Sequence, residues 1–335
     1  MIGEALDTVE SVTREKHANA TIKVLTSIWR RVLERPSIGP DDNFFDLGGN
    51  PPLAITLFDE IAKTCGRELP PVTIYRAPTV ATLAALLDTP TPQLPPLLLL
   101  KPGTEQPPIF IMHGLGGSIM EFFDLIKYIR TSHPIYGLQA KGADGASPPF
   151  TRIEDMAQFH LDAIRNVQPR GPYTLIGYSL GGVIAFEMAR QLSANGEKVA
   201  LLMMIDSYTH TEPLTLRKRI RMNAAQLRYR VSDLTRSSIN RTVDVPLSRV
   251  KERARSSDFL AWTRYRPGFY SGKVAFVRAA DSPYPDPVGT WSHLAPELEV
   301  ETVPGDHHTI ILKHFESAGS VLTRHLKSAR CQRQV

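Results

Sequence analysis

The chain has 335 residues, 42% of them hydrophobic and 22% charged, a balance that suits a globular protein long enough for two domains. Its net charge of +5 is concentrated rather than spread: residues 217–255 hold 12 Lys/Arg against 3 Asp/Glu, which argues against a broad nucleic-acid footprint. The two cysteines, Cys65 and Cys331, are too few for a disulfide framework or a metal cluster and fit a reducing, cytoplasmic setting, and no apolar run approaches the roughly 20 residues of a membrane span.

Residues 1–18 are polar and aperiodic, without the basic start and apolar core of a secretion signal, and read as a frayed tail. From Thr21 onward Ile22, Leu25, Ile28, Trp29, Val32 and Leu33 recur at spacings of three and four, which lays them on one face of a helix. A loop rich in Pro, Gly and Asp then leads to the run Phe44–Leu53. Asn50 reads as a helix N-cap with Pro51 at the first helical position, followed by an apolar stripe of Leu53, Leu57, Phe58 and Ile61. A further short helix is expected over Thr79–Leu87, which makes residues 19–89 a small helical domain. The proline-rich stretch 90–96 predicts a stiff, extended linker.

Beyond it the pattern changes. Leu97–Leu100, Ile109–Met112, Ile135–Gln139, Tyr173–Ile176, Val199–Ile205, Val274–Val277 and Leu298–Val303 read as strands. Helices are expected over Met120–Ile129, Ile153–Val167, Val183–Leu192 and from Ile310 to about Leu326. This alternation predicts an α/β domain over residues 97–330, a mostly parallel sheet covered on both faces and interrupted by basic helical material at about 208–269.

Gly177-Tyr178-Ser179-Leu180-Gly181 falls between a predicted strand and a predicted helix. A serine on so tight a turn needs small neighbours where the backbone crosses, and this is the pattern of a nucleophile elbow rather than of a glycine-rich turn with an idle surface serine. The nucleophile needs a base and a group to orient that base. Gly305-Asp306-His307-His308 follows the last strand and offers His307, with His308 as the alternate. Asp206, at the end of the strand after the nucleophile helix, and Asp281, after the next strand, both remain candidates for the acid, while Asp306 suits an Asx-type cap. For an oxyanion two backbone N–H groups are expected, from Leu180 and, in the loop His113-Gly114-Leu115-Gly116-Gly117, from Leu115.

The segment from Pro108 to about Leu326 resembles the thioesterase domains that end non-ribosomal peptide and polyketide synthetases. The resemblance is carried by Phe110-Ile111-Met112-His113-Gly114, Gly177-Tyr178-Ser179-Leu180-Gly181-Gly182, Ile205-Asp206-Ser207 and Gly305-Asp306-His307. It implies an α/β-hydrolase fold with a helical lid in the basic insertion, and Asp206 rather than Asp281 as the acid. It also implies acyl or peptidyl thioesters of phosphopantetheine as substrates, carrier proteins or synthetase modules met in trans as partners, and neither cofactor nor metal. Thr21 to Asp88 resembles a peptidyl carrier domain through Asp42-Asn43-Phe44-Phe45-Asp46-Leu47-Gly48-Gly49. In that family a serine next along the chain receives phosphopantetheine. Here the position is Pro51, which has no hydroxyl, so the resemblance implies a folded but unmodified four-helix carrier, kept for docking or as a spacer.

Hydrolysis and cyclisation both remain open. A carboxylesterase or lipase acting on free esters fits the elbow alone, and a non-catalytic adaptor fits Pro51. The basic lid either attracts an acidic carrier or the phosphate of its arm, or is a solvated helical face.

Overall fold

In the computed structural model, which describes residues 19–89, 94–145, 147–210 and 247–331, the chain divides between Leu94 and Pro95 into two units. The tail 1–18, the linker centre 90–93 and lid residues 211–246 lie outside the described residues.

In the first unit the apolar face near Thr21 forms helix α1, residues 19–33, and buries Leu25, Ile28, Trp29, Val32 and Leu33. Trp29 meets Phe44 edge-on at 5.4 Å between ring centroids. Phe44 explains Gly49, since a Cβ there would overlap its ring. Helix α2, Pro51–Cys65, starts as its sequence dictates. Asn50 is extended, its side chain accepts the Leu53 N–H, and Pro51 fills the first position. Helix α3, Val80–Leu87, opens with a capping box between Thr79 and Thr82. Between α2 and α3 the chain makes a 3₁₀ turn, Pro71–Tyr75, which the apolar periodicity gave no sign of.

In the second unit the described residues form a seven-stranded sheet of order β1-β3-β2-β4-β5-β6-β7. The strands are β1 Leu97–Lys101, β2 Ile109–Met112, β3 Ile135–Leu138, β4 Tyr173–Tyr178, β5 Val199–Ile205, β6 Val274–Ala279 and β7 Leu298–Val303. Only β1 runs antiparallel; every other pairing is parallel. The central strands β2 and β4 are buried along their whole length, which is why they read as unbroken apolar runs rather than as alternations.

The helices are α4 Phe123–Tyr128, α5 Ile153–Arg165, α6 Leu180–Ala194, α7 Leu247–Arg264, α8 Pro287–Trp291, α9 Thr309–Leu312 and α10 Phe315–Cys331. Helix α6 is buried almost all round, packed against β4, β5 and α5. The expected helix 120–129 breaks into a 3₁₀ turn, Ile119–Phe122, and α4. The expected last helix is likewise two, α9 and α10, because the chain turns at Lys313 and His314, whose N–H groups both bond the Thr309 carbonyl. Among the described residues no helix is long and apolar enough to cross a membrane.

Candidate active site

Ser179 stands at the turn from β4 into α6 with φ 54° and ψ −119°, a region that residues with a Cβ seldom occupy. Its N–H donates to the Ile205 carbonyl at 2.9 Å, and its carbonyl accepts from Gly182 N–H at 3.1 Å. The glycines around it answer to sterics. A Cβ on Gly177 would overlap the Gly181 carbonyl, one on Gly181 the Met112 carbonyl, and one on Gly182 the Ser207 hydroxyl. The first turn of α6 therefore lies directly against the backbone at the end of β2 and against Ser207, just past β5.

The strand register decides which acid can reach. Tyr178 is paired with Ile205, so Ser179 and Asp206 follow at neighbouring carboxyl ends of β4 and β5. Asp206 is fully buried at 0% exposure, and both its oxygens are engaged. Oδ1 accepts from Ala279 N–H at 3.1 Å and Tyr208 O–H at 3.3 Å, and Oδ2 accepts from Ser282 O–H at 3.0 Å. Oδ2 also lies 2.8 Å from His307 Nδ1. Because a carboxylate accepts there, Nδ1 carries the proton, and Nε2 is left free to accept from Ser179 Oγ, 3.0 Å away. Tyr178 stacks on the His307 ring and donates its hydroxyl to the His307 carbonyl at 2.6 Å, fixing ring and backbone together.

The alternatives considered for base and acid are occupied differently. His308 lines the same pocket, but its hydrogen bond is a backbone one, from its N–H to Asp306 Oδ1. Asp306 Oδ1 also accepts from the Thr309 N–H and hydroxyl, and these bonds hold its carboxyl below the usual range. Asp281 donates its N–H to the Gly305 carbonyl; it is Asp206 that bonds His307.

The loop after β2 brings Leu115 to the pocket mouth beside Leu180. Two carboxyl groups that sequence reasoning missed bracket it, Glu121 half-buried and Asp258 buried. Glu121 Oε1 accepts from Gly114 N–H at 2.6 Å, and Asp258 Oδ2 of α7 accepts from Gly116 N–H at 2.9 Å. Burial pushes each carboxyl up to about 7, against the pull of its amide bond. Nearby, burial lowers the His113 imidazole, and burial together with His113 lowers His160 to about 3, so this flank holds neutral rings. Glu121 carried a partial signal as an acid in an otherwise apolar turn. Asp258, 142 residues from its partner, carried none.

Ser179, Leu115 and Leu180 open on a cavity of about 300 Å³ whose outer wall is aromatic and cationic: Phe259, Trp262 and Arg255 from α7, with Tyr284 opposite. Trp262 Nε1 donates to the Tyr208 carbonyl at 2.6 Å, tying α7 to the segment that follows Asp206. The arrangement supplies a hydroxyl polarised by an oriented imidazole, amide donors beside it, and a chamber of mixed aromatic and charged lining for a chain attached to the reacting carbonyl.

The family description "Thioesterase domain" matches residues 107–325, and "Phosphopantetheine attachment site" matches residues 23–87. The chain is 40% identical over 206 residues to a dimodular nonribosomal peptide synthase of Bacillus subtilis (strain 168), covering 61% of this chain and 9% of that protein. It is 29% identical over 294 residues to malpibaldin synthetase of Mortierella alpina, covering 84% of this chain and 5% of the relative. The chain thus spans under a tenth of the length of these relatives. Among solved structures, a four-domain nonribosomal peptide synthetase bound to AMP and glycine superposes with a TM-score of 0.62 at 23% identity, over 91% of this chain and 26% of that one, a likeness of fold.

Proposed function

The chain belongs to the thioesterase-domain family, and from that premise we propose that it releases acyl or peptidyl chains from phosphopantetheine thioesters through an acyl-Ser179 ester. The observation that carries this reading is the continuous line Ser179 Oγ–His307 Nε2–His307 Nδ1–Asp206 Oδ2, at 3.0 and 2.8 Å, opening on the cavity walled by Phe259, Trp262 and Arg255.

In the cycle, His307 Nε2 takes the Ser179 proton as Oγ bonds to the thioester carbonyl carbon. The oxyanion sits between the N–H groups of Leu115 and Leu180. Collapse breaks the carbon–sulfur bond, His307 returns the proton to the leaving thiolate, and an ester remains on Ser179. Water, or a nucleophile within the bound chain, then repeats the sequence and frees the serine. Asp206 holds the imidazole in its tautomer and steadies the imidazolium without taking its proton.

The first unit is read as a carrier fold without an arm. Its matched segment, 23–87, contains Pro51 where the family's serine stands, and a proline ring has nothing to esterify. The chains released are therefore borne on other carrier proteins or synthetase modules.

Intact-protein mass of the wild type and Ser179→Ala, mixed with short, medium-length and aminoacyl pantetheine thioesters, tests the reading while free thiol is followed in parallel. Thiol release that depends on Ser179, with an acyl adduct on the wild type alone, is the expected outcome. Release that persists in Ser179→Ala would sink the acyl-serine route, and no release and no adduct across the panel would sink the reading as a whole and favour an adaptor.

A further inference from the structure

We infer that Asp258 is a positioning residue: carried on α7, it fixes the loop that presents the Leu115 N–H and so makes oxyanion stabilisation depend on the seating of that helix. This deepens the acyl-serine reading and rests on it.

The loop cannot set its own geometry. Gly114, Gly116 and Gly117 surround Leu115, and Gly116 and Gly117 adopt φ of 106° and 77°, where only glycine is comfortable. A backbone of this kind takes its shape from what bonds it. Of three successive amides, Gly114 N–H is held by Glu121 and Gly116 N–H by Asp258. Among the described residues the Leu115 N–H between them has no acceptor, and Leu115 lines the cavity with Ser179 and Leu180. Removing the flanking donors from competition leaves one amide to meet the developing charge.

The two carboxylates differ in where they are anchored. Glu121 belongs to the turn that follows the loop, so its grip is local. Asp258 comes from a helix 142 residues away in sequence, part of the wall over the cavity. The same helix touches Gly116 a second way, since a Cβ there would lie 3.3 Å from Cγ of Arg255, one turn before Asp258. Displacing α7 removes both contacts at once. Asp258 is only 2% exposed, and burying a carboxylate for a single amide bond is unfavourable for stability. An apolar residue would fit that wall at lower cost, which points to a gain in function. Behind it a small cavity is lined by His113, His160 and Lys141, with Arg255 on its own helix; these are the charged and titratable groups around it.

The test uses the full chain with Asp258→Leu, which keeps the bulk and removes the acceptor, and Asp258→Asn, whose amide oxygen accepts from Gly116 at every pH. Melting temperature, kcat and KM on a short acyl pantetheine thioester, and affinity for an acyl boronate that mimics the tetrahedral adduct are measured for each. Asp258→Leu is expected to melt within a few degrees of the wild type and to lose about 10- to 100-fold in kcat with little change in KM. Boronate affinity should fall by the same factor, and Asp258→Asn should recover activity to within about threefold of the wild type. Wild-type kcat in a folded Asp258→Leu overturns the inference, as does equal loss in the Leu and Asn variants while both stay folded. Ser179→Ala in the same series separates the two failures: if it keeps turning over thioester, the acyl-serine reading itself has fallen.

Discussion

Two helices in this chain, α2 and α6, begin in opposite ways. Helix α2 starts with Asn50 extended at φ −144°, its side chain capping Leu53 N–H and a proline at the first position. Helix α6 starts with Ser179 at φ 54°, its side chain capping nothing and turned instead to His307. The first start has the side-chain cap and the proline that suit a helix N-terminus; the second violates the backbone preference and withholds its hydroxyl from the helix. A serine that abandons its cap for an imidazole, on a backbone held by three glycines, fits the nucleophile's role proposed for it. Asn50-Pro51, by contrast, meets the needs of its own helix and no more.

The comparison breaks most visibly on activity. Asp206→Asn should cost roughly 10³- to 10⁴-fold in kcat on a pantetheine thioester, because the wrong tautomer of His307 then faces Ser179. Asp281→Asn should leave the rate as it is. A loss below tenfold for Asp206→Asn, or a large one for Asp281→Asn, would move the acid to the next strand.

On stability the contrast acquires a pH axis. Burial pushes the Asp258 carboxyl up to about 7 in the folded chain, from its ordinary 3.8. The folded state therefore binds the extra proton between those values. The stability from Asp258 is full below about pH 4 and is lost as pH rises to about 7. Relative to the wild type, Asp258→Asn should gain several degrees in melting temperature between pH 5 and 8. Parallel melting curves across that range would show the buried carboxyl to be unperturbed.

Ser179→Gly relieves the positive φ and should stabilise the second unit by about 1 kcal/mol, read as roughly 2–4 °C in melting temperature, while abolishing turnover. A lower melting temperature would mean that the strained start is held by the serine side chain and not by the glycines. Smallest of all, Pro51→Ser should cost about 0.4–1 kcal/mol in the first unit. With coenzyme A and a phosphopantetheinyl transferase, Pro51→Ser should also gain one arm by intact mass where the wild type gains none. Modification of the wild type would refute the reading of a carrier without an arm.

What the sequence made legible was whatever depends on short-range rules. The elbow could be read because Gly177, Gly181 and Gly182 are demanded by contacts a few residues apart, and α2 because Asn50 and Pro51 act on their own helix. The Asp206–Asp281 ambiguity could not be resolved from spacing, since both follow strands of the same sheet. It is the pairing of Tyr178 with Ile205 that sets one of them beside the nucleophile. Residues acting across the fold were invisible: Ser282 and Ala279 on Asp206, and Asp258 on Gly116, gain meaning only from neighbours brought together by packing. The 3₁₀ turn at Pro71–Tyr75 escaped notice because five residues are too few to show a period.

Because Ser179 and Asp206 directly follow adjacent parallel strands, the points from which they start are held apart by the ~4.8 Å spacing of the sheet, a length no loop alters. The excursion that leaves after Tyr208 and rejoins the sheet at Val274 is thus free to differ in length and wall chemistry while the reacting centre keeps its dimensions. A chimera that grafts another protein's excursion onto this sheet inherits the proposed triad of Ser179, His307 and Asp206 intact. It inherits a working one only if the graft brings its own acceptor for the Gly116 amide, which makes that single oxygen the compatibility requirement of the splice.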